Sequence, residues 1–269
     1  MSEEPGTMTF ADAKDRFSSR VADYLRYRPG YPAGLLDLLR DECGLRADES
    51  CAIADVGSGT GLLAELFLKN GNRVFGIEPN AEMRLAGEEY LRAYGNFTSV
   101  AASAEATTLR AGSVKFVTAG QAFHWFEPAA ACQEFSRILA RGGWVVVVWN
   151  DRRMDTPFAR DYEAMLVRYG TDYTKVRDSY PEAGKIKKFF GTARFFEREL
   201  PNKQLFNWNG LAGRLRSSSY AAAENHANYA PMMAELERIF RLHEDAGQVS
   251  MEYATRIYFG HLSAGGATA

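Results

Sequence analysis

Short apolar runs alternate with segments of helical spacing between about residues 50 and 150, and no other feature restricts the fold of this chain so strongly. "CAIADVG" (51–57), "NRVFGIE" (72–78), "FTSVAA" (97–102), "VKFVTAG" (114–120) and "GWVVVVWN" (143–150) read as buried strands. Residues 60–70, 80–93 and 128–140 between them carry helical periodicity. Pro79 and Pro128 stand near helix starts, where a missing N–H costs little. "RGG" (141–143) predicts a stop and turn after the third helix. Strands that are apolar throughout and separated by helices have two buried faces. The expected fold is therefore α/β, a mostly parallel sheet with helices on both sides.

The flanks add helices and two further strands. Residues 8–42 predict two helices interrupted at "YRPGYP" (27–32), where Pro29 and Pro32 break the pattern. "DTPFARDYEAMLVRYG" (155–170) predicts an amphipathic helix with Pro157 in its first turn. "ARFFERELPNKQLFNW" (193–208) reads as two strand-like runs broken around Pro201-Asn202. Residues 209–247 are mostly helical, 248–262 alternate as a last strand, and "SAGGATA" reads as a frayed tail. With no repeat or low-complexity linker, 1–269 is expected to form one domain. Its core lies at about 45–150, and 8–42, 151–190 and 209–247 build a helical cap.

Bulk properties narrow the function. A formal charge of −2 gives no basic excess to steer the chain to nucleic acid. The longest apolar stretch, Trp144 to Trp149, is too short to span a bilayer, and "MSEEPGTMTF" has no signal-peptide pattern. Cys43, Cys51 and Cys132 form no C-x-x-C spacing, and His124, His226, His243 and His261 are scattered. The expectation is a cytoplasmic chain with buried thiols, no metal, and neither a membrane nor a nucleic-acid partner. Oligomeric state has no signature in the sequence.

The chemistry centres on "DVGSGTG" (55–61), at the first strand-to-helix turn. Gly57, Gly59 and Gly61 permit a tight turn and close approach of a ligand to the backbone. The helix that follows presents free N–H groups. Glu78 ends the next strand, about 20 residues further on, where a carboxylate can accept both hydroxyls of a ribose. A dinucleotide fingerprint would need glycine at 62, where Leu62 stands instead.

G-x-G-x-G preceded by Asp55 resembles the first motif of class I S-adenosylmethionine-dependent methyltransferases, and "GIEPNAEMRLAGE" (76–88) and "SAEATTL" (103–109) resemble the second and third. The resemblance implies a Rossmann-like seven-stranded sheet. It implies that Asp55, Gly57, Ser58, Gly59 and Gly61 lie against the amino-acid portion of S-adenosyl-L-methionine and that Glu78 holds its ribose. Pro79, Met83, Ala104 and Glu105 would border the adenine. "YRPGYP", "QAFHWF" (121–126), "RSSSY" (216–220) and "EYATRIYFG" (252–260) are similar to a subgroup of small-molecule methyltransferases that includes trans-aconitate methyltransferase-like proteins. A non-catalytic cofactor-binding module, a nicotinamide-dependent reductase and a nucleic-acid amino-methyltransferase are the alternatives. Leu62 speaks against the second, and the lack of a D/N-P-P-Y type motif after the fourth strand speaks against the third.

In sheets of this kind ligands bind beyond the carboxyl ends of the strands. Gly120 and Gln121 are then expected on the cofactor side, with His124 towards the acceptor and Trp125 as a wall. His124 is either a general base or a packed aromatic neighbour. A carboxylate acceptor needs a cation to hold it, whereas a hydroxyl benefits from a base. Tyr24, Tyr27, Arg28 and Tyr31 form either a lid or a packed edge, with Tyr27 and Arg28 as candidate acceptor contacts. Arg214, Arg216 and Tyr220 in "RLRSSSY" fit an anionic acceptor or a Ser-rich helix boundary. "KIKKFF" (185–190) reads as a solvated helix face.

Overall fold

A computed structural model describes residues 26–171, 173–174, 183–191, 193–218 and 220–262. The expected helix before residue 26, Tyr24, Ser219 and the tail lie outside the described residues. Seven strands form one sheet: β1 (Ile53–Val56), β2 (Val74–Ile77), β3 (Phe97–Val100), β4 (Val114–Gly120), β5 (Leu139–Arg152), β6 (Phe195–Phe206) and β7 (Val249–Gly260). Their order is β3-β2-β1-β4-β5-β7-β6. The first five are parallel, and β7 runs antiparallel to both β5 and β6.

Side-chain alternation on the central strands explains the two covered faces. Phe116, Val146 and Val148 point to one core with Leu35, Leu39, Leu63 and Phe67. These last four come from helices α1 (Gly34–Cys43) and α2 (Leu62–Lys69). Val117, Val145, Val147 and Trp149 point to the other with Phe123, Phe135, Ile138 and Phe189. There the cover includes α4 (Pro128–Ile138) and α6 (Ala183–Phe190), while α3 (Ala81–Leu91) lies between β2 and β3 in sequence. In "KIKKFF" the lysines are exposed and Ile186, Phe189 and Phe190 are buried, an amphipathic face as the pattern predicts. A third core joins α5 (Pro157–Tyr169), α7 (Trp208–Arg216) and α8 (Tyr229–His243) to Met251 and Tyr253 of β7. No helix among the described residues is long and apolar enough to cross a membrane.

Two local expectations are corrected. "RGG" is not a turn: β5 begins at Leu139, directly after α4, and takes in residues 141–143. Leu139 pairs with Val114 and Trp144 with Phe116, so the residues between them bulge out of register on β5, where Gly142 supplies a positive φ of 68°. Nor does Pro201 divide β6, which runs unbroken and pairs Pro201 with Ala254. β6 is the sheet's edge strand, so the missing proline N–H can face solvent and cost no ladder bond.

Candidate active site

The carboxyl ends of β1, β2, β4 and β5 open into one cavity of about 920 Å³, at the upper end of the range usual for small-molecule sites. Its floor is the β1–α2 turn. Gly57 and Gly59 there have φ of 65° and 57°, a left-handed backbone that residues with a Cβ adopt at a cost. Gly57 also packs against the Ala122 methyl, so any side chain at 57 would drive the β1 and β4 loops apart. Gly61, though left-handed at 86°, is not a wall of the cavity. A Cβ there would fall 2.5 Å from Leu91 Cδ1, so this glycine seats α2 against α3.

Glu78 is 9% exposed and holds the loop from the β2 side. The Gly59 N–H donates to its Oε2 at 2.9 Å and the Asn80 N–H to its Oε1 at 2.8 Å. A carboxylate has about four lone-pair positions, so acceptor capacity is left towards the cavity. Asn80 then caps α3 by accepting from the Glu82 and Met83 N–H groups, which fixes Met83 on the cavity wall. Asp55 is wholly buried. Thr118 Oγ1 donates to its Oδ1 at 2.8 Å, while Oδ2 has no partner. Burial pushes its carboxyl up to about 7, against the pull of Thr118 and Ser58. Pro79, Ala104 and Glu105 complete this half, and Glu105 Oε1 accepts from the Glu127 N–H at 3.0 Å. A diol acceptor at Glu78, a glycine cradle and an orphaned buried carboxylate oxygen for a cation fit a ligand with a ribose and an ammonium group.

The β4 loop forms the junction. Gly120 borders the cavity, and Tyr31 and Leu63 fill the space a Cβ would need, so this glycine admits the Tyr31 hydroxyl. Gln121 takes φ 56°, strained for a non-glycine residue, and its Oε1 accepts from the Asn150 N–H at 2.7 Å. Its amide oxygen is therefore committed to β5 rather than to a ligand. His124 is half-buried, with Trp149 edge-on at 5.3 Å and Trp125 tilted at 4.5 Å. Its Nδ1 is buried without a hydrogen bond. Desolvation, with Lys185 adding to it, pushes the imidazole down to about 4. Trp125 borders the cavity but is 80% exposed, a rim rather than an inner wall.

Beyond the junction the lining turns cationic, with Arg28, Arg152 and Arg214. Arg152 is matched by Glu163 and the Tyr173 hydroxyl. Arg28 Nη2 donates to the Ser217 carbonyl at 3.2 Å. Gly30 O accepts from Asn150 and Asn202, and Tyr27 O from Gln204, so residues 27–30 are strapped across β5, β6 and α7. Tyr27 is not among the residues lining the cavity: its ring packs on Gly213. Tyr220 is buried and does line it. Burial alone would raise its phenol, but Arg214, Arg28 and Arg152 together outweigh this and hold it below the usual tyrosine range. Sequence reasoning missed Arg152, Glu163, Tyr173 and Tyr253. Arg152 is the last residue of β5, so the strand-end rule already applied to 120–125 would have found it. Tyr253 lies within the "EYATRIYFG" motif, and Glu163 and Tyr173 carry no sequence signal.

The comparisons agree with this architecture. Residues 54–147 match a family described as a methyltransferase domain. An uncharacterized methyltransferase of Mycobacterium tuberculosis is 32% identical over 177 residues, covering 65% of this chain and 68% of that protein. An uncharacterized methyltransferase-like protein of Schizosaccharomyces pombe is 32% identical over 157 residues, 58% of this chain. The match spans only 59% of that relative's length. A solved structure of a candidate type II methyltransferase from Anaeromyxobacter dehalogenans shares the fold, with a TM-score of 0.63 and 20% identity, covering 87% of this chain and 98% of that one. The chain belongs to the class I S-adenosylmethionine-dependent methyltransferases.

Proposed function

We propose that the whole chain works as one methyltransferase domain that moves a methyl group from S-adenosylmethionine to a carboxylate or hydroxyl of a small molecule. One observation carries the reading. A single cavity joins the glycine loop and Glu78 at one end to a cationic chamber at the other, with the β4 loop between them. When bound, S-adenosylmethionine supplies an electrophilic methyl group, its carbon–sulfur bond breaking with the electron pair left on sulfur as an acceptor lone pair forms the new bond. Gly57 and Gly59 would cradle its amino-acid portion, Glu78 would accept from the ribose, and Asp55 would face the ammonium. Tyr31, Trp149 and the strap over residues 27–30 would wall the junction against water, and orientation then supplies much of the rate.

His124 enters this reading as a neutral wall. An imidazole held near 4 is unprotonated at neutral pH and too weak a base to draw a proton efficiently from a hydroxyl. A carboxylate acceptor, already ionised, has no proton to lose and so needs no base from His124. Turnover between about pH 6 and 8 is expected to show no inflection that His124→Ala abolishes. An inflection near neutrality that vanishes in the variant would restore the base role.

Isothermal titration against S-adenosylmethionine, S-adenosylhomocysteine and NADH tests the reading at its root. Binding of the first two and not the third is expected; binding of NADH alone would make the chain a reductase. Methyl transfer to a panel of carboxylic acids and alcohols, read by mass, then separates an enzyme from a binding module.

A further inference from the structure

Arg214 on α7 is 6% exposed and lines the cavity. Its Nη1 donates to Ser218 Oγ at 2.9 Å, but its Nε is buried with no hydrogen bond. Among the described residues no carboxylate pairs with it, in contrast to Arg152, which holds Glu163. A guanidinium removed from water without a counter-charge carries an uncompensated desolvation penalty. The aromatic hydroxyls around it, Tyr162, Tyr220 and Tyr253, carry no full negative charge while protonated. The depressed Tyr220 phenol reports the same excess of positive potential. A planar, donor-rich group of this kind suits the two oxygens of a carboxylate or phosphate.

We infer that the Arg214 end of the cavity anchors a permanently anionic group of the acceptor, a carboxylate or phosphate distinct from the atom that receives the methyl group. The inference rests on the reading of the cavity as a methyl-acceptor chamber. The distinction between the two groups follows from charge. A carboxylate that takes a methyl group becomes a neutral ester and releases no proton. A guanidinium bonded to the reacting oxygen would hold the starting anion more tightly than the transition state and so oppose the reaction. Bonded to a second anion that keeps its charge, the same guanidinium binds both equally and spends its interaction on orientation. The acceptor class is therefore a small molecule with at least two functional groups, one of them a lasting anion.

The test uses succinate, monomethyl succinate, dimethyl succinate and inorganic phosphate, titrated into the full chain with and without saturating S-adenosylhomocysteine. Succinate and its monomethyl ester are expected to bind within a few-fold of each other, with the dimethyl ester weaker by roughly a hundredfold. Competition by phosphate would extend the anchor to phosphate monoesters, and its absence would restrict it to carboxylates. Arg214→Met should bind neither acid and melt no lower than the parent, since replacing an unmatched buried charge by a similar apolar volume is often neutral or stabilising. Ser218 Oγ keeps its bond to the residue 214 carbonyl in that variant. Equal affinity for the dimethyl ester, no binding of either acid to the parent chain, or undiminished acid binding by Arg214→Met would overturn the anchor. Failure of S-adenosylhomocysteine to bind would instead sink the methyltransferase reading, and the titrations without it still decide the anchor.

Discussion

Glu78→Ala is expected to weaken S-adenosylmethionine binding by about two orders of magnitude, the loss anticipated when hydrogen bonds from a ligand to a charged acceptor disappear. The carboxylate is fixed before any ligand arrives, by the Gly59 N–H on one oxygen and the Asn80 N–H on the other. It therefore has little side-chain freedom to lose on binding, and its remaining lone pairs are oriented in advance. The substitution also releases two N–H groups, but these lie at the cavity surface, where water can take them, so the fold should lose only about 1–2 kcal/mol. Glu78→Gln should fall between the two proteins, because an amide keeps one acceptor and presents a donor to one of those N–H groups. Calorimetric titration with the cofactor checks the first claim and urea unfolding the second. An affinity for Glu78→Ala within about threefold of the parent, well inside one decade, would remove the ribose assignment.

Asp55→Asn is expected to move stability and cofactor affinity in opposite directions. The Asp55 carboxyl sits at about 7 in the folded chain, raised chiefly by burial from the ordinary aspartate value of 3.8. Between those limits the native state keeps a proton that the unfolded state has lost. Stability contributed by this group is thus full below about pH 4, falls as pH rises through the window, and levels off above about 7. Asparagine removes the ionisation, so the variant should lose this slope. Above neutrality it should exceed the parent by an amount on the order of 4 kcal/mol. Its affinity for S-adenosylmethionine should drop, because the orphaned Oδ2 would no longer offer a negative charge to the ligand's ammonium. Thermal melts from about pH 5 to 9, paired with titrations at each pH, measure both. Parallel melting profiles for the two proteins would show that Asp55 does not titrate in this window.

The elements most legible in the sequence are those whose signals are local. The strand "VKFVTAG" has the limits the apolar run predicts, and Pro157 marks the first turn of α5 behind its Thr156 cap. Asp55, Gly57, Ser58, Gly59 and Glu78 line the cavity. Where local reading failed, a distant residue was responsible. Pro201 reads as a breaker, but its place on an edge strand makes it harmless. Gly61 reads as a loop glycine, but its missing side chain is required by Leu91 on the next helix. Tyr27 reads as either a lid or a packed residue, and Gly213, far along the chain, decides for packing by accommodating its ring.

Periodicity and turn chemistry reside in neighbouring residues, so the order of strands and helices, the parallel core and the position of the glycine loop and its acid are legible before the chain folds. The far half of the cavity depends instead on contacts between distant segments. Arg28, Arg152, Arg214 and Tyr220 come from segments scattered along the chain; in sequence the first, third and fourth have equally good packing readings and Arg152 does not stand out. The cost of a buried charge depends on what surrounds it in space. Whether Arg152 is matched, Arg214 left without a carboxylate and His124 held neutral therefore emerges only when the chain folds them into one low-dielectric chamber.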